Sequence, residues 1–357
     1  MADLDLPAAI KKLDSKNLAG SIEQLDNQCE QVFGEIANLQ INPDFANAEK
    51  IVVCGMGGSA LGADVLKSLY FNELKVPLEI INGYSLPGHI NEKTLVIFSS
   101  YSGITEEVLA AYDDAKDKGA KILAITSGGD LGQKIRSGEV EGYIFDPKYT
   151  PSGQPRMGLG YSILSQVLIL AKLGFLKFGQ DDLNKILVAI RKANSQSNID
   201  VATDNNPAKQ IAKKFVNKIP FLFASEHLVG NIHVFANQLN ENAKVLSSYF
   251  TLPEVDHHLI EGLPSTNEIH ERVIFFFLKS NLYSPRVLKR YDITKTLAEK
   301  NGFETVIIEP QFTTKLEQVF EFLTLGSWVS FYLAMLYDRD PSPIPNVDFL
   351  KNELSKE

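Results

Sequence analysis

The chain has 357 residues, 44% hydrophobic and 22% charged, an ordinary globular balance with room for two or three domains. A net charge of −9 speaks against a nucleic-acid partner, since phosphate backbones demand a basic face, but leaves a small anionic substrate open through local Lys and Arg. The two cysteines, Cys29 and Cys54, lack metal or redox spacing and fit a reducing cytoplasm. No apolar run reaches the roughly 18 residues a membrane helix needs, and the acidic start lacks the plan of a signal peptide.

Residues 7–40 have the periodicity of one or two amphipathic helices, with Ile10, Leu13, Leu18, Ile22, Leu25 and Val32 as candidate buried positions, packing outside the sheet that follows. The stretch 51–62 then organises the first half. An apolar run, Ile51-Val52-Val53-Cys54, stops at Gly55, Gly57 and Gly58, and a helical pattern begins near Ala60. This reads as a buried parallel strand, a tight turn and a helix N-terminus. The free N–H groups and dipole at that N-terminus favour an anion, and glycine lets a ligand approach the main chain. The plain alternative is a β-α turn with small residues for packing. Ala60 stands where a third glycine would complete a dinucleotide fingerprint, the strand 78–81 ends in Asn82 rather than an acidic residue, and no Lys-Ser/Thr follows the glycines.

Strands at 78–81, 94–98, 121–126 and 143–145, alternating with helical segments such as 105–118, complete an open doubly wound sheet of five strands. At the end of the third strand, hydroxyls cluster at Ser99, Ser100, Ser102 and Thr105, more than a helix cap requires. Ligands of open α/β sheets sit outside the carboxyl ends of strands, so Gly57-Gly58-Ser59 and Ser100–Thr105 form two anion-friendly turns on one side of one sheet. A phosphate is the natural occupant, held by dipole and hydroxyls because neither turn carries a lysine.

A Pro/Gly-rich loop at 147–160 carries Arg156, and long irregular loops over a sheet are often functional. Residues 194–206 are the most linker-like part, and Pro207 restarts a helix. Strands at 221–224, 273–278 and 305–308, each followed by a helix, repeat the first half's plan without its glycine-rich turn, which suggests a duplication with a site between the copies. Asn240-Glu241-Asn242 closes the helix from 229, Pro253-Glu254-Val255-Asp256-His257-His258 lies in an irregular stretch, and Lys351 lies on a short final helix. Each alone has an ordinary reading: an exposed helix glutamate, a surface histidine pair, a tail lysine.

Together, Gly57-Gly58-Ser59, Ser100-Tyr101-Ser102-Gly103-x-Thr105, Gln154-Pro155-Arg156, Asn240-Glu241-Asn242 and Pro253-Glu254-x-Asp256-His257 resemble the bifunctional phosphoglucose/phosphomannose isomerases of the sugar isomerase domain superfamily. The resemblance implies two doubly wound α/β domains, each a mostly parallel five-stranded sheet flanked by helices: N-terminal helices at 1–40, a phosphate-binding domain at 41–195 and a second domain at 207–357 with a C-terminal helix. It implies interconversion of glucose 6-phosphate, and of mannose 6-phosphate, with fructose 6-phosphate through a cis-enediol(ate), needing no metal and no cofactor. By the same resemblance Gly57, Gly58, Ser59, Ser100, Ser102 and Thr105 hold the phosphate, and Glu241 is the base between C1 and C2. Arg156 stabilises the enediolate oxygen, and His257 opens the ring from the other subunit of a homodimer with Lys351 assisting; His258 stands where this family often has Asn. Ser342 is the candidate hydroxyl for accepting mannose. A carboxylate base, a cation beside the developing enediolate and an acid–base pair at the ring oxygen are what such an isomerisation requires. The rival readings are an amino-sugar phosphate isomerase on the same scaffold and a sugar-phosphate-binding regulator without catalysis, although no basic DNA-binding segment is present.

Overall fold

A computed structural model describes residues 3–356; the outer ends of the expected segments, residues 1–2 and 357, lie outside the described residues. Three helices open the chain: α1 (Pro7–Leu13), α2 (Leu18–Glu23) and α3 (Leu25–Ala37). The first half continues with β1 (Lys50–Gly55), α4 (Gly58–Leu69), β2 (Leu78–Ile81), β3 (Thr94–Ser100), α5 (Glu106–Asp117), β4 (Lys121–Thr126), α6 (Gly129–Arg136), β5 (Glu141–Ile144), α7 (Leu159–Lys172) and α8 (Gln180–Ser197). The second half comprises α9 (Pro207–Phe215), β6 (Ile219–Ala224), α10 (Val229–Gln238), β7 (Ser248–Thr251), α11 (Asn267–Arg272), β8 (Val273–Leu278), α12 (Pro285–Lys300), β9 (Glu304–Ile308), α13 (Lys315–Leu336) and α14 (Pro345–Leu354).

The first sheet has the order β2-β1-β3-β4-β5, and every pairing is parallel. Successive side chains of a strand point to opposite faces, and here both faces are covered. Ile51, Val53, Leu95, Ile97, Leu123 and Ile125 join the main core with α3, α4 and α7, while Val52, Cys54, Val96, Phe98 and Ala124 pack with α5 and α6. Thus α4, leaving β1, covers one face, and α5, leaving the neighbouring strand β3, covers the other. Their N-termini diverge from adjacent strands and open a crevice between Gly57 and Ser102, the topological switch point at which such sheets bind ligands.

The second sheet, β7-β6-β8-β9, is also wholly parallel but has four strands, not the five expected. After β9 the chain enters the 22-residue helix α13, and the tail beyond carries Pro341, Pro343 and Pro345. Proline cannot donate to a ladder, so that tail forms turns and α14 rather than a fifth strand. Phenylalanines dominate this core, with Phe221, Phe223, Phe275 and Phe277 stacked across β6 and β8. By length and mean hydropathy (1.5) α13 would suit a membrane, but 89% of its most apolar window is buried inside the protein, where it packs on α8, α9 and α10. Its apolar character is that of a core helix.

The halves meet where α4 packs on α10. Gly230 makes this close approach possible, because a Cβ there would stand 2.4 Å from Val65 Cα. Asp64 Oδ2 pairs with His233 Nδ1 at 3.0 Å across the same seam. The helix that starts at the first sheet's switch point is therefore locked against the helix that leads into the turn carrying Glu241.

Candidate active site

The two glycine- and serine-rich turns lie side by side because β1 and β3 are neighbours. Gly57 (φ +49°) turns the chain into α4, and Gly58 lets that N-terminus close on the 155–156 backbone, where a Cβ would meet Pro155 O at 3.1 Å. Ser59 Oγ accepts from Tyr101 N at 3.0 Å, which ties the first turn to the second. Ser100 Oγ and Thr105 Oγ1 share a hydrogen bond of 2.7 Å, and Gly103 N donates to Ser100 Oγ at 3.0 Å. Thr105 occupies the N-cap of α5 but makes no side-chain cap bond. Its hydroxyl faces Ser100 instead, so the simple capping explanation fails for Thr105. Ser102 Oγ receives only the long contact from Ile104 N, 3.4 Å. Hydroxyls that a helix cap does not consume surround backbone N–H groups at the mouth of the crevice, a cradle for an anion.

The loop arginine is not in solvent. Arg156 Nε donates to Asn242 Oδ1 at 2.6 Å, Nη1 to Gln154 Oε1 at 2.8 Å, and Nη2 to the carbonyls of Pro341 and Ser342 at 2.9 Å each. Four of the five N–H donors of a guanidinium are thereby spent on the protein. Nη1 also lies 3.7 Å from Glu241 Oε2, with the arginine side chain 2% exposed and the glutamate 29%. Burial lowers the Arg156 pKa, against the pull of Glu241 and Asp340.

Glu241 stands on a single π turn, Leu239–Ala243, that ends α10. Such turns re-aim side chains and recur at functional sites. This one sends Asn242 inward, where its Nδ2 donates to Ser330 Oγ at 3.0 Å, and leaves Glu241 partly exposed beside Arg156. Burial raises the Glu241 pKa above the usual 4.5, and Arg156, Lys244 and Lys351 pull it back. A carboxylate poised between desolvation and cations is the pattern of a tuned proton acceptor.

Lys351 is exposed on α14 and reaches Glu241 through its charge alone. Ser342 is buried, its carbonyl bound by Arg156 and its Oγ without a partner among the described residues. His257 is not brought to this cluster. It is exposed at the end of a short 3-10 turn, Glu254–His257, and makes no hydrogen bond or ion pair among the described residues. Its neighbour Asp256 is held by Arg290 and Thr294, and His258 pairs with Glu254 at 3.1 Å. One member of the cluster escaped notice in the sequence, Lys244, whose Nζ donates to the carbonyls of Asn242, Asp340 and Pro341. The sequence offered no signal for it beyond its nearness to Glu241, because its partners Asp340 and Pro341 lie 96 and 97 residues away.

Two parallel sheets with an anion cradle at one switch point, and a carboxylate and guanidinium at the seam, define a sugar isomerase (SIS) protein. Residues 44–131 match the SIS domain family, and residues 204–354 match the family described as bacterial phospho-glucose isomerase C-terminal SIS domain. A bifunctional phosphoglucose/phosphomannose isomerase of Caldicellulosiruptor bescii is 34% identical over 94% of this chain and 98% of its own. One from Aquifex aeolicus is 30% identical over 94% and 99%. The chain belongs to the bifunctional phosphoglucose/phosphomannose isomerase family. The fold extends further: the C-terminal domain of glucosamine-fructose-6-phosphate aminotransferase from Francisella tularensis superposes with a TM-score of 0.65 at 14% identity, over 90% of this chain and 96% of that one.

Proposed function

We propose that this protein interconverts glucose 6-phosphate and mannose 6-phosphate with fructose 6-phosphate. The observation that carries the reading is the Arg156–Glu241 pair. Four of the arginine's five donors are committed to the protein, and the open Nη1 side faces a glutamate whose pKa is raised. The substrate phosphate would lie on Gly57, Gly58, Ser59, Ser100, Ser102 and Thr105, which places C1 and C2 toward the seam. Glu241 takes the proton from one carbon and returns it to the other, and Arg156 steadies the oxyanion of the cis-enediolate as it forms. Anchoring the phosphate holds the reacting carbons against the base, a positioning effect worth several kcal/mol.

Ring opening needs an acid–base group at the ring oxygen, and Lys351 lies near Glu241 to assist it. In this reading His257 comes from a second copy of the chain. Both His257 and the apolar residues Val347, Phe349, Leu350 and Leu354 of α14 are exposed in one protomer, and a homodimer would cover them. The units expected from the sequence, 41–195 and 207–357, serve in this reading as cradle and base carrier. The two free, buried cysteines suit a cytoplasmic enzyme.

The test is a coupled assay for fructose 6-phosphate formed from each aldose. An amino-sugar phosphate isomerase would act on the amino sugar instead, and a regulator would bind without turnover. Sharing of His257 is tested by mixing Glu241→Gln and His257→Ala subunits: recovered turnover requires a base and a histidine from different chains, and no recovery sinks the shared site.

A further inference from the structure

Lys244 follows the π turn and holds left-handed backbone, φ +56° and ψ +40°. Glycine is the usual residue there, because it alone adopts this conformation without steric cost. A lysine there bears a backbone cost that glycine would not. Its side chain is committed: Nζ donates to Asn242 O at 3.2 Å, Asp340 O at 3.1 Å and Pro341 O at 2.9 Å, which occupies all three ammonium protons. The Pro341 carbonyl is the same one that Arg156 Nη2 grips at 2.9 Å. Arg339 closes the arrangement from the tail, donating to Lys244 O at 3.0 Å, and Ser15 Oγ ties Asp340 Oδ2 to the N-terminal helices.

We propose that Lys244 is a positioning residue for the isomerisation, clasping the Asp340–Ser342 segment so that the Arg156 guanidinium stays seated beside Glu241. The inference rests on the reading that Glu241 and Arg156 act on the substrate. Charges face the ammonium from each element around it: Arg156 from the 154–158 turn, Arg339 and Asp340 from the tail, and Glu241 from its own turn. Burial and the two arginines favour loss of the proton, and the Lys244 pKa falls from 10.5 to about 8. The neutral amine has one donor fewer and no charge, so above that pH the clasp loosens.

The experiment compares wild type, Lys244→Gly and Lys244→Arg for kcat, KM and their pH profiles with glucose 6-phosphate, together with melting temperatures. Glycine relieves the left-handed backbone, so this variant folds while lacking the ammonium. Its kcat is expected to fall about 10- to 100-fold, as for a small misplacement of reacting groups. KM should stay near the wild-type value, because the phosphate cradle is elsewhere. Wild-type kcat should decline above about pH 8, and arginine, which keeps its proton, should restore most of kcat and move that decline upward by at least about one pH unit. A Lys244→Gly enzyme with wild-type kcat, or a Lys244→Arg enzyme with an unmoved alkaline limb, overturns the inference. Absence of turnover in wild type overturns the functional reading and this inference with it.

Discussion

Replacing Arg156 by lysine keeps the charge and removes the geometry. Arginine's donors are spread over three nitrogens, which is how one side chain reaches Asn242, Gln154, Pro341 and Ser342 at once. A lysine ammonium placed where Nη2 stands keeps the two carbonyls and abandons Asn242 Oδ1 and Gln154 Oε1. Gln154 is half-buried and turns to water. Asn242 is fully buried, so its oxygen goes unsatisfied at a cost of about 1–3 kcal/mol. At about 2–4 °C per kcal/mol, the melting temperature should fall by about 2–12 °C. The chemistry should suffer more: the cation leaves the neighbourhood of Glu241, and loss of one preorganised oxyanion partner costs about 10²–10³ in kcat. With the guanidinium withdrawn, burial acts on Glu241 with less opposition, so the acid limb of kcat/KM should move to higher pH. Coupled assays across pH and a thermal melt test all three effects. A variant that turns over within about 3-fold of wild type, with its acid limb in place, would refute the role given to Arg156.

Glu241→Gln should abolish turnover while leaving binding of a phosphorylated alditol intact. Because burial raises the Glu241 pKa, the native state loses stability as pH rises through and above 4.5, so this variant should be the more stable protein at pH 7, with the difference shrinking as pH falls toward 4.5 and vanishing below it. Ser100→Ala and Thr105→Val each remove a hydroxyl from the cradle and should raise KM by about 10-fold or more, the value of a hydrogen bond to a charged group, with little change in kcat. Gly103→Ala should destabilise by at least about 2 kcal/mol, since φ is +72° and the added Cβ would stand 1.8 Å from Gly128 O; a melting temperature equal to wild type would contradict the docking of the 100–105 turn on the turn after β4.

The first sheet was legible because its strands are buried on both faces and so read as unbroken apolar runs ending in glycine or serine turns. Both anion-favouring turns stood out because each sits where a strand pattern stops in glycine or serine, whereas Glu241 read as an ordinary helix glutamate and was singled out only through the family resemblance. The four-strand second sheet was less legible. Its edge strand β7, Ser248–Thr251, is four residues long and largely half-exposed, too short for periodicity to register, and the missing fifth strand follows from prolines whose effect depends on where the tail runs. The single helix α13 was blurred because it is buried almost all round and shows little amphipathic pattern. The Arg156 cage could not be read, since three of its four partners lie 86 and 185–186 residues away in sequence and meet it only through tertiary packing. For His257 the sequence resemblance assigns a role that one protomer does not complete, which is why that part of the proposal calls for a second copy of the chain.

The division of labour across the seam has an energetic logic. Burying a guanidinium is costly unless its donors are matched, and no single half of this chain supplies enough acceptors. Gln154 comes from the first half, Asn242 from the end of α10, and the Pro341 and Ser342 carbonyls from the tail. Arg156 is therefore seated only when both halves and the tail are in place, and the same assembly holds Glu241 close to it. If Arg156 and Glu241 act as proposed, the charge is arranged during folding, before any substrate arrives, which is the condition under which fixed dipoles lower a barrier most. Drawing the halves apart, and not merely nicking the chain between 197 and 207, would on this argument unseat Arg156 and leave Glu241 without its guanidinium, because α8 on α13 and α4 on α10 hold the pieces together across a nick.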